Sequence, residues 1–186
     1  MLRIFDFIFS LLGLILGSPV LLLIYLCGLF DNGAPIFRQE RVGRDQRPFT
    51  LVKFRTMHPD TASVASHLVD ATAITPLGAF LRRTKLDELP QLWNVVKGEM
   101  SLVGPRPCLF NQTELIIERS HRGVFNARPG ITGLAQIKKI DMSTPTLLAE
   151  IDEIMLGELR LTNYFKYIFI TVFGGGAGDG IHHYKR

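Results

Sequence analysis

The chain has 186 residues, is 47% hydrophobic and carries a formal net charge of +4. That length gives one domain, or one domain with an appendage. Cys27 and Cys108 stand far apart outside any CxxC pattern and the histidines lack ligand spacing, so neither a disulfide framework nor a Cys/His metal motif is implied.

From Phe7 to Phe30 no residue is charged. A bilayer span needs roughly 20 apolar residues, and this run is long enough. It is too long for a signal-peptide core, and Asp6 accompanies Arg3 ahead of it, so the run is expected to stay and meet lipid. Ser18-Pro19 sits in its middle. Proline removes a helical hydrogen bond and kinks the helix, while the Ser18 hydroxyl is placed to satisfy a freed carbonyl. The segment from Phe7 to Gly17 makes about 16 Å of helix, against a bilayer core of ~30 Å. A hairpin that enters and leaves on one side fits this length, and a kinked straight span also fits. Arg3 on one flank and Arg38, Arg41, Arg44 and Arg47 on the other favour the cytoplasmic side and leave both arrangements open.

Pro35 to Arg44 reads as a short strand entering a turn. Phe49 to Met57 alternates, with Val52 and Phe54 facing one way and Leu51, Lys53 and Arg55 the other. Arg38, Arg41, Arg44, Arg47, Lys53 and Arg55 outweigh Glu40 and Asp45 by the whole net charge of +4. Such a patch attracts phosphates of any kind. Lys53 and Arg55 lie about 7 Å apart along one strand face, a spacing that suits a pyrophosphate and equally a solvated strand face. His58 to Thr75 is weakly patterned and reads as a mobile excursion with at most a helical turn. Leu77 to Arg83 then makes a short helix.

Lys85-Leu86-Asp87-Glu88-Leu89-Pro90 follows. Proline is favoured in a first helical turn, and Leu89, Leu92, Trp93 and Val96 share one helical face, with Gly98 as a C-terminal stop. Asp87 and Glu88 therefore stand at or just before a helix N-terminus, an electropositive end that suits anions. Capping acids are also common there.

In Gly104-Pro105-Arg106-Pro107 the prolines hold Arg106 in a narrow backbone range, which makes its guanidinium a good phosphate fork. Arg128-Pro129-Gly130-Ile131-Thr132-Gly133 repeats the idea, with glycines that allow close backbone approach. It is neither a Walker A loop nor a dinucleotide fingerprint. Thr146 to Leu156 has helical spacing. Leu161 to Phe173 is rich in aromatics and fits either a core helix or an interfacial element with Tyr164, Lys166 and Tyr167 near headgroups.

A membrane-seated N-terminus, fixed cations and a carboxylate pair together suggest phosphate chemistry on a membrane-associated substrate. A carboxylate can attack phosphorus once the phosphate charge is neutralised. The segments Lys53–Met57, Leu86–Val95, Gly98–Pro107 and Arg128–Gln136, in that order, closely resemble the bacterial sugar transferases, and more narrowly the small monotopic phosphoglycosyl transferases. The resemblance runs from about Arg3 to the helices before Gly174.

The resemblance implies an α+β fold. A re-entrant membrane helix broken at Ser18-Pro19 (residues 1–33) would precede a small, mostly helical cytosolic catalytic domain with a few short strands and interfacial amphipathic helices (34–173). A Gly-rich tail (174–186) would follow. It implies transfer of a phosphosugar from a UDP-sugar to undecaprenyl or another polyprenyl phosphate, with release of UMP, as a first step of surface glycan assembly. Asp87 would be the nucleophile and Glu88 the second acid, both near Mg²⁺. Lys53 and Arg106 would be the conserved cations at the phosphates, with Arg55, Arg82 and Arg128 in support. The implied partners are the lipid bilayer of the bacterial inner membrane, met from the cytoplasmic face, and downstream glycosyltransferases, with no nucleic acid. A catalytically silent membrane scaffold of the same fold is the competing expectation. Ala73 and Lys85 depart from the family pattern, where arginine and serine are frequent, and no role is carried onto them.

Overall fold

The computed structural model describes residues 2–61 and 71–173. The Gly-rich tail from Gly174 and most of the excursion after His58 lie outside the described residues. Helix α1 spans Leu2–Asn32, with Pro19 inside it. The helix assignment runs unbroken through Ser18-Pro19, so the division into two arms expected there does not interrupt the helix. Pro19 has no N–H for the carbonyl four residues back, that of Ile15. Ser18 Oγ donates to that carbonyl at 2.8 Å instead, so the ladder stays satisfied and the helix continues.

The helix touches the rest of the domain at both ends, through a narrow stripe of Asp6, Ser10, Ile24 and Gly28. A Cβ at Gly28 would come within 2.7 Å of Pro35, and one at Gly13 within 3.0 Å of Leu92. Most of the rest of α1 is apolar and exposed, Leu16 at 77% and Phe30 at 92%. In length and composition α1 is apolar enough to cross a membrane.

Strands β1 (Ile36–Val42) and β2 (Pro48–Phe54) form an antiparallel hairpin in which Phe37 faces Lys53 and Arg41 faces Phe49. The predicted alternation holds. Phe49 and Leu51 pack with Val95 and Met100, whereas Phe54 packs with Ile24 and Leu81. The turn between the strands puts Asp45 and Gln46 at positive φ. Helix α2 (Pro76–Thr84) is capped by Thr75, whose side chain accepts from Gly78 N. Among the described residues of this stretch, Met57 bridges Ile74, and Ala71–Ala73 makes a helical turn.

Helix α3 (Gln91–Lys97) ends on Gly98 at φ 88°, as the sequence suggests. Its periodicity is met differently from expectation. The side buried in the domain carries Gln91, Asn94 and Val95, while the apolar stripe turns toward α1 and leaves Trp93 53% exposed. Asn94 explains the inversion. Its Oδ1 accepts from Val52 N at 3.1 Å and its Nδ2 donates to Thr50 O at 2.7 Å, so one buried amide completes the open edge of β2 as a neighbouring strand would.

β3 (Ser101–Val103) pairs in parallel with β4 (Gly130–Thr132), Ser101 opposite Gly130 and Val103 opposite Thr132. The connection carries α4 (Thr113–His121). Short α5 (Leu134–Ile137) and α6 (Pro145–Gly157) follow, and Leu115, Leu148, Ala149 and Ile151 form a core with Val42 and Cys108. Helix α7 (Leu161–Val172) is amphipathic in the opposite sense to the interfacial reading. Tyr164 and Tyr167 point inward, and Phe165, Phe169 and Val172 point out. The phenol finds a buried acceptor that a phenylalanine would waste.

That acceptor is Asp6. It takes hydrogen bonds from Tyr164 Oη at 2.8 Å, Ser101 Oγ at 2.9 Å and Leu102 N at 2.9 Å. Burial and the Asp6 carboxylate together push the Tyr164 hydroxyl well above the usual tyrosine range. Arg3 Nη2 donates to Val96 O at 3.1 Å, at the negative end of α3. One turn of α1 thus staples the apolar helix to α3, β3 and α7.

Replacing Asp6 by alanine strands these donors and is expected to cost about 2–4 kcal/mol, read by denaturant unfolding of the purified chain in detergent. Unchanged stability would show that α1 is held by other means. Gly130→Ala places a Cβ 2.0 Å from Gly104 N and is expected to cost about 1–3 kcal/mol or more in the same assay.

Candidate active site

Asp87 and Glu88 lie in a 3-10 turn, Leu86–Glu88, between α2 and α3, one step earlier than a helix N-terminus proper. Both are buried, at 3% and 9% exposure. Carboxylates this buried need compensation. Arg106 Nη2 donates to Glu88 Oε1 at 2.8 Å, and Asp87 also has a partner within the fold.

Arg106 is held from behind. Its carbonyl accepts from Arg119 Nη1 at 2.8 Å. Arg119 is itself 1% exposed and donates through Nε and Nη2 to Asp152 Oδ2 at 3.0 and 2.6 Å. Burial pushes the Asp152 carboxyl above the usual range, and the Arg119 charge pulls it back. The ion pair spans α4 and α6 and fixes the backbone of the Gly104–Pro107 turn.

In front of Arg106 opens a small, solvent-open cleft lined by Arg41, Leu51, Lys53, Gln91, Arg106, Pro107 and Gly130. Of the residues singled out by sequence, Lys53 and Arg106 meet there, and Glu88 joins them through Arg106. Lys53 Nζ lies 5.6 Å from the centre of the Phe37 ring and Arg55 5.5 Å from it, so the two cations do share a strand face. Arg55 is drawn elsewhere, since its Nε donates to Ala34 O at 2.8 Å. Arg82 Nε donates to Thr56 Oγ1, and Arg128 Nε to Gly98 O, each at 2.8 Å. These three tie loops and helix ends and are not among the cleft residues. Ser18 and Pro19 belong to α1.

Gln91 lines the cleft and the Arg119–Asp152 pair braces it without a signal in the sequence, which marks Arg41 only as one of the basic patch. Arg41 faces the cleft because it shares the hairpin face of Leu51 and Lys53, and its Nη1 donates to Pro107 O at 3.0 Å. The register that makes this legible depends on the turn length. Among the described residues no three His, Cys, Asp or Glu side chains gather. The neighbouring acids Asp87 and Glu88 match the way Mg²⁺ is commonly held, by one or two carboxylates together with substrate phosphates.

The arrangement is a buried acid pair beside an open cationic cleft, suited to holding a phosphate against a carboxylate. The family model described as bacterial sugar transferase matches residues 1–175. The chain is 43% identical over 155 residues to the UDP-galactose-lipid carrier transferase of Erwinia amylovora, covering 73% of this chain and 32% of that one. It is 39% identical over 183 residues to the UDP-glucose:undecaprenyl-phosphate glucose-1-phosphate transferase of Klebsiella pneumoniae, covering 93% and 39%. It is 41% identical over 136 residues to the uncharacterized sugar transferase EpsL of Bacillus subtilis, covering 73% and 67%. The chain thus spans about a third of the length of several relatives and two thirds of EpsL. With nearly its whole length matched, and with the acid pair and the cationic cleft in one place, the chain belongs to the bacterial sugar transferase family.

Proposed function

We propose that this chain is a membrane-associated phosphoglycosyl transferase, which moves a phosphosugar from a UDP-sugar to undecaprenyl or another polyprenyl phosphate and releases UMP. The observation that carries this reading is the buried Asp87-Glu88 turn, ion-paired to Arg106 beside a cleft lined by Arg41 and Lys53. The names of relatives acting on UDP-glucose and undecaprenyl phosphate support the substrate classes.

An oxygen of the Asp87 carboxylate attacks the sugar-bearing phosphorus. The new O–P bond forms as the bridging P–O bond breaks, and the bonding pair leaves with UMP. An oxygen of the acceptor phosphate then attacks the same phosphorus. The aspartyl O–P bond breaks, which restores the carboxylate and yields the lipid-linked diphosphosugar. Arg106 and Lys53 neutralise the phosphate oxygens, a preorganised electrostatic effect of the kind that dominates phosphoryl transfer. Glu88, aimed by Arg106, orients the acceptor phosphate and takes up its remaining proton. Mg²⁺ held by Asp87 and Glu88 with the donor would supply further charge neutralisation.

The membrane in this reading is the bacterial inner membrane, with the domain on its cytoplasmic face. Both ends of α1 contact one domain, at Asp6 and at Ile24 and Gly28. This favours a helix lodged in one leaflet, with its exposed apolar face in lipid, over one that carries its ends to opposite sides.

The test is UMP release by the purified chain in nanodiscs with Mg²⁺, undecaprenyl phosphate and a panel of UDP-sugars. One or a few sugars are expected to react. Asp87→Asn is expected to lower turnover by about a thousandfold or more without loss of folding, and intact mass is expected to detect a phosphosugar adduct on the wild type alone. Undiminished release by Asp87→Asn would sink the nucleophile assignment. Chelation with EDTA is expected to stop release and added Mg²⁺ to restore it; release that persists in EDTA would remove the metal from the reading.

A further inference from the structure

Lys85 takes no part in the cleft of Arg41, Lys53 and Arg106. It closes α2 in the left-handed region, at φ 59°, a conformation that costs a residue with a Cβ about 1–2 kcal/mol. The residue that accepts this cost has a long cationic side chain and stands two positions before Asp87. Its ammonium donates to Thr171 O at 3.3 Å, one of the last carbonyls of α7, which have no partner within their own helix. The Thr171 hydroxyl in turn meets that of Thr132 on β4. The Glu88 N–H donates to the Lys85 carbonyl at 3.2 Å, so Lys85 stands at the start of the turn that carries the acid pair. The acid pair therefore has cations on two sides, the cleft on one and Lys85 on the side of α7.

The surface next to Lys85 differs from the cleft. The last turn of α7 exposes Phe169, Val172 and Phe173 at 63%, 69% and 73%, with the two phenylalanine rings 4.4 Å apart. Phe165 of the same helix packs on Phe5 and Phe9 of α1, so this surface continues into the apolar face of α1. An ammonium with donors to spare, at the edge of exposed hydrocarbon and beside a carboxylate pair, complements an amphiphile with a phosphate head.

We infer that Lys85 binds the phosphate of the membrane-borne acceptor, a lipid monophosphate whose apolar chain lies along the Phe169–Phe173 end of α7, while the nucleotide donor occupies the cleft. The inference rests on the transferase reading and adds to it the station of the second substrate. It gives the half-reactions separate phosphate sites around one acid pair.

The experiment uses the full chain in nanodiscs, as wild type, Lys85→Met, which keeps the stem and loses the charge, and Lys85→Arg. UMP release is measured while undecaprenyl phosphate is varied at saturating donor, and while donor is varied at saturating acceptor. Direct binding of a short-chain polyprenyl phosphate is followed by calorimetry, and thermal unfolding checks that each variant is folded. Lys85→Met is expected to raise KM for the acceptor and weaken lipid phosphate binding about tenfold, with KM for the donor within about twofold; Lys85→Arg is expected to restore most of both. An unchanged acceptor KM in a folded Lys85→Met, an equal rise in both KM values, or a fall in kcat alone would overturn the assignment. So would wild type that fails to bind the lipid phosphate. Wild type that binds it through Lys85 and yet releases no UMP would sink the reaction and leave the binding station standing.

Discussion

Gly104 and Gly130 approach so closely that a Cβ on either would meet the other's loop, at 2.0 Å from Gly104 N or 2.5 Å from Arg128 O. Through that contact β3 and β4 pair in parallel, with Gly130 N on Pro105 O and Gly104 N on Thr132 O, each at 2.9 Å. The crossing brings together two arginine-proline turns separated in sequence by α4. It holds Arg106 at the cleft, while Arg128 is directed to the Gly98 carbonyl at the end of α3. The Arg119–Asp152 pair then braces the Arg106 carbonyl from the other side. A buried pair of this kind contributes little net stability, but it leaves the turn few alternative positions. The guanidinium that meets Glu88 is thus fixed at its own backbone before substrate arrives, which is what electrostatic preorganisation requires.

The second half of the site hangs on Asn94. Its amide holds the outer edge of β2 and, at 2.7 Å, the carboxylate of Glu99. Because α3 is clamped to the hairpin, the Leu86–Glu88 turn ahead of it is pressed against β2 and α2. That turn has no room to carry its acids to solvent. Burial, ordinarily unfavourable for carboxylates, is sustained by the surrounding cations and by this packing.

The apolar helix is joined to the same machinery and is more than an anchor. Asp6 and Arg3 bind β3, α3 and α7, and the same α7 reaches Lys85 and Thr132 with its far end. The elements with exposed apolar faces are thus connected by hydrogen bonds to the strands and turn that hold the acid pair. Under the transferase reading proposed above, that linkage keeps Asp87 and Glu88 at a constant height relative to the membrane that carries the acceptor.

The sequence by itself determined the local features. Alternation in Phe49–Phe54 assigns the faces of β2, Ser18-Pro19 marks the one carbonyl that needs a new donor, and Gly98 ends α3, because each is set by residues within a few positions of one another. The motifs also carried the acid pair, Lys53 and Arg106. What tertiary structure decided is which cations line the cleft. Arg55 and Arg128 look alike in sequence to Lys53 and Arg106, yet their Nε atoms donate to the carbonyls of Ala34 and Gly98. The same is true of α3, whose apolar stripe turns to α1 because a single buried asparagine has a strand edge to satisfy. It is true of α7, where Asp6, far away in sequence, draws Tyr164 inward. Hydrogen bonds between distant segments outweigh periodicity where a buried polar group has one available partner, and no local pattern records where that partner lies.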